Sequence, residues 1–496
     1  MSLASYADRK ANPFAFNPPF GLTSMISKTV FFSCTLVVGF LSPAFSFAAP
    51  DAEIGWDSVP GILARIKAPE FPAHDFDITK FGAVAGGADC TDAIEQAIAA
   101  CNKAGGGRVV VPAGEWLSGA IHLLSNVNLH ISEGATLKFN PDLAKYLPNV
   151  LTRIGGIECF NYSPLIYAFE QENIAITGKG ILDGGASFEN WWGWTKRGKR
   201  VDEGQTSGER LNDMERRHVP VEQRVFGAGQ YHRPNFIQPF RCKNVLIEGI
   251  TIHNSPNWEV NPVYCTNVTV RSVKIDTHGP NNDGCDPDSC RDVLIEDCVF
   301  DTGDDCIAIK SGLNDDGRRV GLPSENIIIR NCVMKDGHGG VVLGSEISGG
   351  VRNVFVENCK MDSPSLDRAL RFKSNAQRGG VLENVFLRNI EIGRVAEAIV
   401  TVDYLYGEGA KGPYKPVVRN VHLQNVTSQS SPRVLWIVGF PGAVVDGIEF
   451  VDCAFKGVET AEVMTNAADI HFRNTTIEPV KKARSLNSPE AKSEKK

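Results

Sequence analysis

The sequence predicts an all-β protein: a single-stranded right-handed parallel β-helix with an N-terminal capping helix. The first observation is a repeated phrase, an Asn or Asp followed by alternating apolar residues. It runs Asn173-Ile-Ala-Ile-Thr, Asn244-Val-Leu-Ile-Glu, Asn267-Val-Thr-Val-Arg, Asp292-Val-Leu-Ile-Glu, Asn326-Ile-Ile-Ile-Arg and Asn353-Val-Phe-Val-Glu. It continues as Asn384-Val-Phe-Leu-Arg, Asn420-Val-His-Leu-Gln, Gly447-Ile-Glu-Phe-Val and Asp469-Ile-His-Phe-Arg. From 244 onward the starts are separated by 23, 25, 34, 27, 31, 36, 27 and 22 residues. Each phrase reads as a short period-2 strand that cannot bury its apolar side alone, so the copies must stack, with turns of variable length between them.

The second observation is a pair of columns in this register. Five residues past each start lie Asp297, Asn331, Asn358, Asn389, Asn425, Asp452 and Asn474. These fit a turn whose side chains hydrogen-bond neighbouring backbone. Six residues past lie Ile250, Val273, Cys298, Cys332, Cys359, Ile390, Val426 and Cys453. Cysteine exchanging with Ile and Val marks an inward position held by a free, buried thiol. The third observation is composition: 48 glycines with only 22% charged residues favour a turn-rich β protein over a helical one.

The remaining elements follow in order. Residues 1–48 are expected to form a leader and signal peptide, with Lys28, the apolar run Thr29–Gly39, and cleavage after the small residues ending at Ala48. That places the mature protein outside the cytoplasm, secreted or periplasmic. No other stretch approaches the ~20 apolar residues of a bilayer span, so no stable membrane partner is expected. Residues 49–76 read as an N-terminal extension. The catalytic solenoid should occupy 77–479, with Thr91 or Asp92 capping a helix over Ala93–Lys103 that closes the solenoid's end. Residues 183–235, rich in Trp, Arg, Glu and Gly, match no repeat and form a long excursion between coils. Residues 480–496 read as a charged, disordered tail.

Charge narrows the partners. The formal charge is −7, and losing Arg9, Lys10, Lys28 and Asp8 with the leader makes it −9. Such a chain is a poor general binder of nucleic acid, and any acidic substrate must be met by local cations. Thirteen cysteines in an exported protein point to disulfides, with Cys285 and Cys290 close enough to pair; the inward column argues that at least four are free.

Three successive turns carry the polar residues: Gly279-Pro-Asn281-Asn282-Asp283-Gly-Cys-Asp286, Asp301-Thr-Gly-Asp304-Asp305-Cys306 and Gly337-His338-Gly339-Gly340. Asp304 lies 12 residues past Asp292 and His338 lies 12 past Asn326, so they share a column on adjacent coils about 4.8 Å apart. Asp283 falls one coil earlier, and Arg371-Phe372-Lys373 sets two cations near the same face. Stacked carboxylates should raise at least one pKa and supply a proton donor, the requirement of glycosidic cleavage. Arg371 and Lys373 are suited to pair with a sugar carboxylate.

Taken in this order, Asn281-Asn-Asp283-Gly, Gly303-Asp304-Asp305-Cys306, Gly337-His338-Gly339 and Arg371-Phe-Lys373 resemble the polygalacturonase family of glycoside hydrolases, family 28. The capping segment, Phe81-Gly-Ala through Gly105-Gly-Gly-Arg-Val, is similar as well, so the resemblance spans roughly residues 75–475. It implies the pectin-lyase-like solenoid and inverting hydrolysis of polygalacturonate, with no cofactor and no metal. Asp304 would be the general acid, Asp283 and Asp305 would activate water, and His338 would support Asp304. Arg371, Lys373 and Asn281 would bind substrate. Two positions depart from the pattern: Asn282 stands for the usual Thr and Phe372 for the usual Ile.

Asn161-Tyr-Ser-Pro-Leu-Ile-Tyr, Asn254-Ser-Pro-Asn-Trp258 and Lys310-Ser-Gly resemble the bacterial exo-acting branch, and the 183–235 excursion would wall off one end of the cleft. The alternatives are an endo-acting enzyme, or a rhamnogalacturonan or xylogalacturonan hydrolase of the same family. More remote are a Ca²⁺-dependent pectate lyase and a non-catalytic β-helix that binds carbohydrate.

Overall fold

The computed structural model describes residues 54–195 and 205–480. The expected leader, the start of the N-terminal extension, part of the 183–235 excursion and the tail beyond 480 lie outside them. The repeated phrases form one continuous parallel sheet, through Glu172–Gly178, Lys243–Glu248, Thr266–Arg271, Arg291–Glu296, Ser324–Arg330 and Val351–Glu357. Each coil adds two further strips, giving a right-handed parallel β-helix. The register matches the repeat: Val245, Val268, Val293, Ile327, Val354 and Val385 are aligned partners, and all are buried. The solenoid starts two residues earlier than expected, since Asp75–Asp77 pairs with Gly107–Val111. Its last strand is Thr476–Pro479.

The column five residues past the starts works differently from the expectation: Asn389 donates to Asn358 (3.1 Å), Asn425 to Asn389 (2.8 Å) and Asn474 to Asp452 (2.6 Å), across coils rather than to neighbouring backbone. The residues at the strand starts form a second such column. They adopt left-handed backbone, with φ of 55–60° from Asn244 to Asn420, and Gly447 takes the same conformation at φ 67°. Asn tolerates this region because its short side chain finds local partners. Here the partners are one another across coils rather than neighbouring backbone. Asn267 donates to Asn244 (2.7 Å), Asn353 to Asn326 (3.0 Å), Asn384 to Asn353 (3.0 Å) and Asn420 to Asn384 (2.6 Å). Asp292 has no amide to donate, and its carboxylate instead receives Arg65 at 2.7 Å.

Arg65 ends helix α1 (Val59–Arg65), an element that the sequence reading treats only as extension. It lies on the outside of the sheet, packing Val59 and Ile62 on Leu294, Ile328, Phe355 and Phe386. Those residues are the apolar middles of the Val-Leu-Ile and Val-Phe-Val phrases, which strict alternation would expose. Helix α2 (Thr91–Lys103) closes the solenoid as expected, burying Ala93, Ile94, Ala97, Ile98 and Cys101. Its cap sits earlier than expected. Neither Thr91 nor Asp92 is the capping residue; the Asp89 carboxylate accepts from the Thr91 N–H (3.0 Å) and hydroxyl (2.6 Å).

The twelve described cysteines are free and buried, Cys285 and Cys290 included, so the pairing considered for those two does not form. The excursion holds helix α3 (Ser207–Arg216) and a Trp191–Trp194 turn. An antiparallel hairpin, Val150–Ile154 with Ile157–Asn161, also leaves the solenoid. Its signal was in the sequence: Gly155-Gly156 between two apolar runs, both at positive φ, is a two-residue hairpin turn. Helix α4 (Asn314–Val320) completes the insertions.

Candidate active site

The third strip of each coil builds the site. Cys285 pairs with Ile307, Ile307 with Val341, and Val341 with Leu370. Asp283 therefore aligns with Asp305, and Asp304 with His338, all just ahead of their strands. Asp283, Asp304 and Asp305 each place an oxygen within 4.8 Å of the others. His338 Nδ1 lies 3.0 Å from Asp304 Oδ1. Gly337 permits this close stacking: at φ 150°, an added Cβ would lie 2.6 Å from the Asp304 carbonyl oxygen.

The cations face Asp305. Lys373 Nζ lies 2.5 Å from Asp305 Oδ2, and Arg371 Nη1 lies 3.8 Å from Asp305 Oδ1. Phe372 between them points inward and is fully buried, so this departure from the family pattern fills the core and leaves the cations in place. Asn282 is also fully buried. Its Oδ1 accepts from Thr277 (2.8 Å) and Gly279 (2.6 Å), and its Nδ2 donates to the carbonyls of Ser255 and Asn257. It laces the turn to the preceding coil while Asp283 carries the charge. Asn281, on the exposed side, accepts from Arg233 at 2.6 Å.

Sequence reasoning missed Lys310, Glu259 and Glu346 beneath the site. Lys310 Nζ lies 3.6 Å from Asp283, 3.6 Å from Asp286 and 3.2 Å from Glu346, and 4.3 Å over the Trp258 ring. Glu259 is fully buried, with no hydrogen-bond partner on either oxygen among the described residues. Lys310 was findable as the outward residue following Ile307-Ala308-Ile309, in the same alternation that turns Arg371 and Lys373 away from the core.

Electrostatics separates Asp283 from Asp304. Burial, then repulsion from Asp286 and Asp304, pushes Asp283 well above the carboxylate range against the pull of Lys310. Burial also raises Asp286, to about 8, and holds Glu259 well above its ordinary value. Asp304 behaves oppositely. Burial raises it, but the His338 hydrogen bond and the charges of Lys373, His338 and Lys310 outweigh burial and hold it below the ordinary value. Crowding thus raises a carboxyl, as expected, but in the unliganded protein that carboxyl is Asp283 rather than Asp304. His338 is raised, first by its bond to Asp304.

Exposure separates roles as well. The Asp304 side chain is 19% exposed and faces the opening beside the exposed His338, while Asp283 and Asp305 are 4% and 0%. Asp283 Oδ1 and Asp305 Oδ1 are buried with no hydrogen-bond partner among the described residues. The oxygens of the trio are close enough to share a divalent cation, yet Lys373, Arg371 and Lys310 already supply the opposing charge. His278, Asp301 and Asp336 form a second such cluster on the outer side, where Lys335 competes for Asp301 at 3.4 Å.

Insertions wall this strip. Arg153 and Asp288 form a fully buried ion pair (2.9 Å) that ties the 150–161 hairpin to the coil of Asp286. Arg224 and Asp316 (2.7 Å), together with Arg319 and Glu158, join hairpin, excursion and α4. Trp192 donates to the Ser255 carbonyl at 2.8 Å, on the N-terminal side of Asp283. Among the described residues, no helix is long and apolar enough to cross a membrane.

Comparison with known proteins agrees with this geometry. The family model for glycosyl hydrolases family 28 matches residues 225–476. The exo-poly-alpha-D-galacturonosidase of Dickeya chrysanthemi is 29% identical over 439 residues, covering 81% of this chain and 70% of that protein. A probable polygalacturonase of Vitis vinifera is 28% identical over 394 residues, covering 76% and 73%. The crystal structure of the exopolygalacturonase from Thermotoga maritima is 42% identical with a TM-score of 0.81, covering 85% of this chain and 96% of that one. This chain, with its aspartate trio and basic pair on one strip of a β-helix, belongs to family 28 of the glycosyl hydrolases.

Proposed function

We propose that the protein hydrolyses α-1,4-galacturonosyl linkages of polygalacturonate, from a chain end and with inversion, at Asp283, Asp304 and Asp305. One observation carries the chemistry: two buried, unpartnered carboxylate oxygens, on Asp283 and Asp305, stand beside a more exposed carboxyl bonded to His338. A water donating to two carboxylates at roughly 2.7 Å each can bridge a gap up to about 5.5 Å, and the trio fits within 4.8 Å. The water oxygen attacks the anomeric carbon and its proton passes to that pair, where Asp305, held by Lys373 and Arg371, supplies the accepting carboxylate and Asp283 positions the water. Asp304 gives its proton to the glycosidic oxygen, which leaves as the hydroxyl of the shortened chain.

The low value of Asp304 in the unliganded site fits this scheme. Lys373 is among the charges that depress it. A substrate carboxylate settling on Arg371 and Lys373 neutralises that field and raises Asp304 toward its working range. Carboxylates this close are common in double-displacement enzymes. Here Lys373 and Arg371 already engage Asp305, which favours its holding a water over attacking the sugar. The wall of hairpin, excursion and α4 supports end-on cutting, and the similarity to the Thermotoga maritima exopolygalacturonase agrees. Export through the leader at residues 1–48 is consistent with a polysaccharide substrate.

Product analysis on polygalacturonate tests this reading. Monomer or dimer alone from the first turnover, undiminished in EDTA and released first as the β-anomer, is the expected outcome, with Asp304→Asn lowering kcat by about 10²–10⁴-fold. A ladder of oligomers refutes chain-end cutting. Initial α-anomer refutes inversion, and an unsaturated uronide refutes hydrolysis.

A further inference from the structure

Each sugar of a polyuronate carries one carboxylate, so cleavage between two sugars places an anion on either side of the aspartate trio. An anion drawn into such an acidic site needs its own cation. On the C-terminal side, Arg371 and Lys373 fill that role. On the N-terminal side, the coils at 254–260 and 279–283 contribute no basic side chain. Lys310, beneath them, is already surrounded by Asp283, Asp286 and Glu346.

The cation that reaches this side comes from the excursion. Arg233 Nη1 donates to the carbonyls of Pro256 (2.7 Å) and Pro280 (2.6 Å) on successive coils, and Nη2 donates to Asn281 Oδ1 (2.6 Å). These acceptors are neutral, and among the described residues no carboxylate lies within ion-pair reach of Arg233. Three bonds fix the guanidinium while leaving its Nε–H and one Nη2–H uncommitted. Burial pushes its pKa down to about 10, opposed by the fields of Asp283 and Asp304. It borders a cavity of about 220 Å³, room for about one sugar, with Trp194, Ser207, Tyr231, Asn257 and Asn281 among its walls. Aromatic rings and amides are the lining that a sugar ring requires.

We propose that Arg233 is a specificity-determining residue that receives the carboxylate of the uronate on the side of the scissile bond opposite Arg371 and Lys373. The inference rests on the polyuronate reading above. It makes the excursion a selector for a charged chain end as well as a wall. A neutral or esterified sugar there leaves the Arg233 charge unmatched and is rejected.

The test compares trigalacturonate with two singly methyl-esterified forms, one blocking the sugar on the Arg233 side and one blocking the sugar facing Arg371 and Lys373. In the wild type, each ester should lower kcat/KM by about 10- to 100-fold, the worth of one charge-assisted hydrogen bond. In Arg233→Gln, the penalty for the first ester should fall toward one while the penalty for the second persists. Arg233→Lys, which keeps charge but not the fork, should fall between. Wild-type indifference to the first ester overturns the proposal even if the Gln variant does not fold, and so does a Gln variant that keeps full discrimination. A wild type unable to cut trigalacturonate refutes the proposed function instead.

Discussion

Replacing Lys310 with Met removes the single cation shared by Asp283, Asp286 and Glu346. At 3.6 Å and an effective dielectric near 20, one such pairing is worth about 5 kcal/mol. Most of that offsets the cost of burying the charges, so deleting one partner of a buried set should destabilise by about 3–5 kcal/mol. The sign with pH follows from the groups left behind. Lys310 itself lies above its ordinary value, so it stays charged throughout the acidic and neutral range and its partners set the pH dependence. Burial raises Glu346, yet Lys310, Arg378 and Lys373 hold it at about 2, and Lys310 likewise opposes the rise of Asp283 and Asp286. Without Lys310 all three carboxyls move up. The penalty should be smallest in acid, where they carry protons, and grow as pH rises. Thermal unfolding of both proteins across that range measures it. The ascending limb of the pH–rate profile should also move to higher pH, because Asp283, in the proposed base pair, holds its proton longer. An unchanged melting temperature together with an unmoved limb would refute the electrostatic role of Lys310.

Two further outcomes are expected. His338→Gln removes the bond and charge that hold Asp304 down, so the descending limb of kcat/KM should shift to higher pH, with a loss of about 10- to 100-fold at the optimum. The stability that His338 gains from Asp304 is present below the ordinary histidine value and lost as pH rises through its raised one, so the two proteins should converge in stability at alkaline pH. Asn353→Ala breaks two rungs of the amide ladder and puts alanine at φ 59°, which should destabilise by about 2–4 kcal/mol in thermal melts. Asn353→Gly keeps the backbone and should lose only the hydrogen-bond share.

Counting from strand starts placed Asp304 and His338 correctly because both follow strands of the same strip by equal lengths. It placed Asp283 less well: the turn after Asn267 is longer, and Asp283 aligns with Asp305, the deeper of the acidic pair. Asp283 is raised by its burial and by Asp286 and Asp304 beside it, a setting that spacing does not reveal. Glu259 and Glu346 were silent for the same reason, since nothing local distinguishes a buried charge from an exposed one until neighbouring coils surround it, and alternation gave Lys310 its side of the strand but not its burial. Helix α1 left little trace because its apolar face is two residues long, Val59 and Ile62. Its complement was visible only as unexplained apolar residues on the outer side of the sheet. Arg233 was hidden by its distance in sequence from every residue it serves.

Asp292 has a consequence for how the N-terminal segment finds its place. A solenoid surface is periodic: each coil offers nearly the same groove, so a short apolar helix could settle one step too high or too low with little loss of contact. The amide column repeats in the same way and gives no bearings. The Asp292 carboxylate in that column, answered by Arg65, turns a uniform track into one with a marked stop. Moving the acid to the next coil, by exchanging Asp292 and Asn326, should move the helix with it.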